Sequence, residues 1–79
     1  MDYRQILDLI KIKLPKEYSE VQIEIEDIVK LGSTGGEINA MIGFYLKNLE
    51  EKNKNAYEIL KEDIKKYIMS CENDGLIIN

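Results

Sequence analysis

The chain contains no histidine and no tryptophan, and only one cysteine, one proline and one phenylalanine. Each shortage excludes something. Without His, the commonest general base and the commonest metal ligand are both missing. One Cys and no His leave the usual zinc spacings without donors. Cys71 has no partner for an intramolecular disulfide. A domain of this size made for an oxidising compartment would often carry several cysteines, so the cytoplasm is the expected location. The opening Met-Asp-Tyr-Arg, with an acid at Asp2, lacks the basic-then-apolar order of a signal peptide, and no apolar run approaches membrane-spanning length. Carboxylates are plentiful, but none sits in an evidently apolar, concave setting that would raise its pKa for acid catalysis. The expectation is a protein that is not an enzyme, with no catalytic residues, no metal and no cofactor. It would act by binding.

Seventy-nine residues, 44% of them apolar and 33% charged, suit one folded domain with one core. Such a chain buries only about 60–65% of the surface its unfolded form exposes, which leaves little room for a deep, walled pocket. With a single Pro and mostly clustered Gly, long stretches run uninterrupted, as helices require. A first helix is predicted from Tyr3 to Leu14, with Asp2 and Gln5 as a capping pair. Tyr3, Ile6, Leu7, Ile10 and Leu14 form its stripe, and Leu9 and Ile12 lie off that stripe. This helix is expected to be apolar over most of its girth and covered on several sides. Pro15 marks the stop. From Lys16 to Leu31 the pattern is double: Tyr18, Val21, Ile25, Ile28 and Val29 make a helical stripe, whereas Val21 to Ile25 also alternates with period two. The longer helical stripe decides for helix, with Gly32 as C-cap. After a turn, Thr34 and Glu37 have capping-box spacing, and a third helix runs to Lys52, burying Ile38, Met41, Ile42, Tyr45, Leu46 and Leu49. Asn53-Lys54-Asn55 interrupts the pattern. Asn55 with Glu58 predicts the next N-terminus, and a fourth helix to Glu72 carries Tyr57, Leu60, Ile64, Tyr67, Ile68 and Cys71. Asn73-Asp74-Gly75 ends it, and the tail Leu76-Ile77-Ile78 is expected to fold back on the protein. Four amphipathic helices with short links predict an all-α fold, a compact antiparallel four-helix bundle over residues 1–79.

The net charge of −4 is a local feature. Glu17, Glu20, Glu24, Glu26 and Asp27 lie in one stretch with no base, while the rest of the chain is nearly balanced. On a helix, Glu17, Glu20, Glu24 and Asp27 share one face, expected roughly opposite the apolar stripe. Like charges three or four apart repel by a few tenths of a kcal/mol per pair. The plain reading is a solvated face whose first-turn acids suit the helix dipole. The functional reading is a docking surface for a basic protein. The same acids argue against nucleic acid as partner, because phosphates would be repelled. Ile23, off the core stripe and beside the acids, is the candidate exposed anchor. Tyr18 is a second candidate, although its spacing also fits the core. Phe44 is likewise off the main stripe of its helix.

Gly32-Ser33-Thr34-Gly35-Gly36-Glu37-Ile38 is the least generic stretch. It lacks the Lys and the spacing of a phosphate-binding loop, and Glu37 would repel a phosphate. The glycines read as a tight turn with close backbone packing. Gly-Ser-Thr-Gly-Gly-Glu-Ile followed by an amphipathic helix, from Leu31 to Leu49, resembles a motif of small immunity proteins in bacterial polymorphic-toxin and contact-dependent inhibition systems. That resemblance implies a protein that occludes the active site of a cognate toxin, often a basic nuclease, and it supplies no catalytic residues. A second resemblance, through Leu31-Gly32-Ser33, is to acyl carrier proteins modified on a Ser at the start of their second helix. Here Ser33 follows Gly32 and precedes Thr34 rather than standing in Asp-Ser-Leu, and the acids precede it rather than follow it. A phage-encoded acidic inhibitor of a nucleic-acid-binding protein is a third reading, for which five clustered carboxylates are few. The expected partner is therefore a basic protein such as a toxin nuclease domain, with no nucleic acid and no membrane. The oligomeric state is left open.

Overall fold

A computed structural model describes residues 1–76. Helix α1 (Tyr3–Lys13) starts where its cap predicts. The Asp2 carboxylate accepts from the backbone N–H of Arg4 and Gln5, and the Gln5 side-chain oxygen accepts from the Asp2 N–H at 2.9 Å. Three otherwise unpaired donors are thereby satisfied, those of Asp2 and Gln5 reciprocally. Leu14 and Pro15 then run extended and end the helix.

The stretch expected as one helix from Lys16 divides in two. A single 3-10 turn, Lys16–Tyr18, precedes helix α2 (Ser19–Leu31). The break lies at Tyr18 (φ −107°, ψ 21°), which leaves helical geometry while its ring packs against the core. Within α2 the period-two pattern is incidental. Val21 and Ile25, four residues apart, are buried, and Ile23 between them is 55% exposed.

Gly32 caps α2, its N–H bonding the Ile28 carbonyl at 3.0 Å, but not by the left-handed conformation usual for a capping glycine. Its backbone is extended (φ −75°, ψ 144°), and glycine is needed for space: a Cβ here would run into Cγ1 of Ile38, the first buried residue of the next helix. Helix α3 (Gly35–Lys52) begins at Thr34, whose hydroxyl accepts from the Glu37 N–H at 3.1 Å. The returning arm of the expected capping box is shifted by one residue, because the Glu37 carboxylate accepts from Ser33 rather than from Thr34.

Helix α4 (Lys54–Asn73) starts two residues earlier than Asn55 would place it. Asn53 (φ −152°, ψ 86°) closes α3, donating to the Leu49 carbonyl at 2.7 Å. The same residue opens α4, its side-chain oxygen accepting from the Ala56 N–H. The earlier start makes Ala56, fully buried, the third residue of the helix rather than the first. Gly75 ends α4 at φ +87°, a conformation that suits glycine. Leu76 then folds back, its N–H bonding the Cys71 carbonyl at 3.0 Å and its side chain packing against the core. The expectation for Ile77 and Ile78 lies outside the described residues.

The helices form a four-helix bundle in which α4 packs on α3 and α1, α2 packs on α3 and α1, and α1 also touches α3. The core takes Ile6 and Ile10 from α1, Val21 and Ile25 from α2, Ile38, Ile42, Leu46 and Leu49 from α3, and Ala56, Leu60, Ile64, Tyr67 and Cys71 from α4. Two expectations of burial fail. Ile12 is 79% exposed, so α1 is not covered on that side, and Met41 is 36% exposed at the edge of the α3 stripe.

Tyr67 has no exposed surface, so its hydroxyl needs an internal partner. It finds Asn39, lying 2.9 Å from the Asn39 carbonyl and 3.1 Å from its side-chain oxygen. That side-chain oxygen also accepts from the Tyr3 N–H at 2.8 Å, in the first turn of α1. A second link between distant parts of the chain joins Lys13 to the nearly buried Asp63 at 2.6 Å.

Truncating Ile10 or Leu60 to Ala should cost about 2–5 kcal/mol, read from urea unfolding midpoints. The glycines of the α2–α3 turn should divide. Gly32→Ala must displace Ile38 and should cost about 1–3 kcal/mol. Gly36→Ala meets nothing within 4 Å and should stabilise by about 0.4–1 kcal/mol. Equal effects at the two positions would contradict the packing described for Gly32.

Candidate protein-docking surface

The residues singled out on α2 are not all equivalent in the fold. Glu17 lies in the 3-10 turn rather than on α2, and it is exposed. Glu20 and Asp27 are exposed on α2, as is Ile23, whereas Tyr18 is half-buried against the core and is no free anchor. Glu24 is half-buried. Its carboxylate takes the Lys52 ammonium of α3 at 2.7 Å. The acidic face therefore does not stand opposite the apolar stripe. Its Glu20–Glu24 edge turns toward α3 and borders the groove between the two helices.

That groove has two consecutive stretches sharing Tyr45 and Lys52. One, of about 480 Å³, is walled by Ile28 of α2 and by Ala40, Met41, Phe44, Tyr45, Asn48 and Lys52 of α3. The other, of about 210 Å³, is lined by Glu20, Val21 and Glu24 of α2 and by Tyr45, Leu49, Lys52 and Asn53 on the α3 side. The first is apolar and holds Phe44, 55% exposed, beside Met41. The second is acidic. Met41, Phe44, Tyr45, Asn48 and Lys52 follow one another at steps of three and four or fewer, so they make one stripe along α3. They flank the core stripe instead of belonging to it.

The electrostatics of the junction follow from its geometry. The hydrogen bond from Lys52, then the contact with Tyr45, holds the Glu24 carboxyl below its ordinary value. Partial burial, and next the neighbouring Glu24 carboxylate, pushes the Tyr45 phenol well above the usual phenol range. Lys52 also lies 5.4 Å from the centre of the Tyr45 ring, within cation–π range. Of the five clustered acids, Glu24 alone has an ion-pair partner among the described residues. Glu26 accepts a hydrogen bond from the Gln22 side chain at 3.3 Å.

Outside the groove, three groups with chemical potential are Cys71, Asp63 and Ser33. Burial raises the Cys71 thiol above its ordinary value, which keeps it protonated and unreactive. Asp63 is held by Lys13. Ser33 is exposed in the turn before α3, its N–H donating to the Glu37 carboxylate at 3.4 Å, so a negative charge stands beside it. Among the described residues, no group of three or more His, Cys, Asp or Glu could hold a metal ion, and no helix is long and apolar enough to cross a membrane.

Sequence reasoning placed the acids and flagged Ile23 and Phe44 as off-stripe. It missed the groove, together with Ile28, Met41, Tyr45 and Lys52 as its walls. The available signal was the width of the α3 apolar stripe, which exceeds what its neighbours can cover. Comparison with protein families, with curated proteins and with solved structures finds no match to this chain.

Because the folded-state value of Glu24 is depressed, its contribution to stability is fully present above the ordinary carboxyl value of 4.5. It is lost as pH falls through the lower folded value. Wild type should therefore unfold at higher urea than Glu24→Gln at neutral pH, and the gap should close in acid below that range. A gap that persists unchanged in acid would mean that the charged pair does not stabilise the fold.

Proposed function

We propose that this protein is a stoichiometric inhibitor of the immunity type, which binds a cognate basic toxin domain, a nuclease being the expected class, through the acidic flank of α2. The observation that carries this reading is the inventory of charges. Glu17, Glu20 and Asp27 stand exposed with no ion-pair partner among the described residues, and Glu20 lines the stretch of groove that continues into the apolar one. A concentration of like charge beside exposed apolar surface favours a partner that brings cations and apolar side chains together. Exposed acids steer a basic partner and speed encounter, while the apolar surface slows release. Ile23, exposed on the far side of the same acids, extends the patch. The motif from Leu31 to Leu49 that resembles immunity proteins supports the same reading. Modification of Ser33 as in a carrier protein has no comparable support, because the adjoining Glu37 carboxylate would oppose an incoming phosphate.

Charge reversal tests the proposal at Glu20 and Asp27. Glu24 is unsuitable, since a lysine there would also remove the pair with Lys52. Against a basic toxin domain that the wild-type protein captures, Glu20→Lys/Asp27→Lys should lower the association rate by roughly tenfold or more at low salt and flatten its salt dependence. The far-ultraviolet circular dichroism spectrum should be unchanged. An association rate equal to wild type would remove the acidic flank from the binding face.

A further inference from the structure

We infer that the α2–α3 groove receives an amphipathic helix from a protein partner, with apolar side chains against Ile28, Met41 and Phe44 and a lysine or arginine beside Glu20. This rests on the reading of the protein as a binding module and specifies how the partner is held.

Three features fix the occupant. The first is shape. The groove wall on α3 runs from Met41 to Lys52, a length of about 16 Å at 1.5 Å per residue, or some three helical turns. Its exposed side chains recur at steps that another helix can match with residues at i, i+3 or i+4, and i+7. The second is composition. Ile28, Ala40, Met41 and Phe44 line one end, and Phe44 and Met41 keep much of their surface open to water. An exposed aromatic beside a flexible thioether is a common form for a helix-binding groove. The third is charge. Glu20 stands at the other end of the same groove, eight residues before Ile28 on α2 and so about 12 Å along the helix axis. Lys52, the cation of the groove walls, is already held by Glu24. Glu20 therefore calls for a cation from outside, offset by about two turns from the apolar anchors. A second copy of this chain fits poorly, because its own groove edge carries the same acids and its net charge is −4.

The test uses the isotope-labelled 79-residue chain and three synthetic helical peptides of roughly 18 residues, long enough to span the groove. The first carries a leucine stripe and an offset lysine pair. The second replaces the lysines by glutamates. The third replaces the leucines by serines. The first should shift the resonances of the Met41 methyl, the Phe44 ring and the Ile28 methyls, and the other two should bind about tenfold more weakly or not at all. Phe44→Ser should weaken the first peptide by about tenfold, whereas Ile12→Ser, at an exposed apolar site outside the groove, should leave it unchanged. Equal binding of the lysine and glutamate peptides, indifference to Phe44→Ser, or shifts centred away from the groove would overturn the inference. So would concentration-dependent dimerisation that buries Phe44, or saturation of the groove by decanoate with no response to peptide. The two proposals fail separately. If charge reversal at Glu20 and Asp27 slows capture of the toxin domain while Phe44→Ser does not weaken that complex, the inhibitor reading stands and the groove is not its seat. If the peptides behave as expected but charge reversal leaves toxin association untouched, the groove stands and the inhibitor reading falls.

Discussion

The hydroxyl of Tyr67 has to be satisfied inside the protein, and much of the arrangement of the helices follows from how this is done. A phenol with no access to water needs a hydrogen-bond partner at hand. Asn39 provides it from α3, and the same asparagine takes the Tyr3 N–H, one of the donors that the first turn of α1 leaves unpaired. Three helices thus meet at one side chain. Among the described residues, no buried side-chain nitrogen or oxygen is left without a partner. The position of α2 is set otherwise. It has no part in this junction and is held by Val21 and Ile25 in the core and by the Glu24–Lys52 pair at its margin.

That difference bears on the open apolar strip along α3. α1, α3 and α4 are tied at a common point. α2 covers only part of the α3 flank, and the remainder is the strip from Met41 to Lys52. The acids of α2 then acquire distinct roles by position. Glu24, nearest α3, belongs to the fold. Glu20 borders the groove, and Glu17, Asp27 and the neighbouring Ile23 belong to the surface. A single acidic run in the sequence is thus divided between an internal ion pair and exposed surface.

The parts of the fold governed by local rules were legible in the sequence. The Asp2–Gln5 cap, the stop at Pro15, the buried stripe of α4 and the helical choice at Val21–Ile25 depend on residues three or four apart. What could not be read depends on distant partners. Asp63 gives no local sign of burial, because Lys13, its partner, lies fifty residues away. Asn55 has Glu58 at capping-box spacing, yet Asn53 caps α4, because it is also the residue at which the chain turns out of α3. Gly32 resembles an ordinary helix terminator until Ile38 is seen against it. Met41 has the spacing of a core residue, and only the placement of α2 shows that nothing covers it. The acids of α2 were visible in the sequence, but the apolar groove between α2 and α3 was not.

The joint at Asn53 has a consequence for the identity of the fold itself. A single non-helical residue separates two helices, of 18 and 20 residues. If its dihedral angles became helical, α3 and α4 would merge into a straight rod of about 58 Å, far longer than the 33 Å long axis of the folded molecule. The apolar stripes that now face each other would then have to find their complement in another copy of the chain. The bend at this one residue is what lets the α3 and α4 stripes face each other within a single chain.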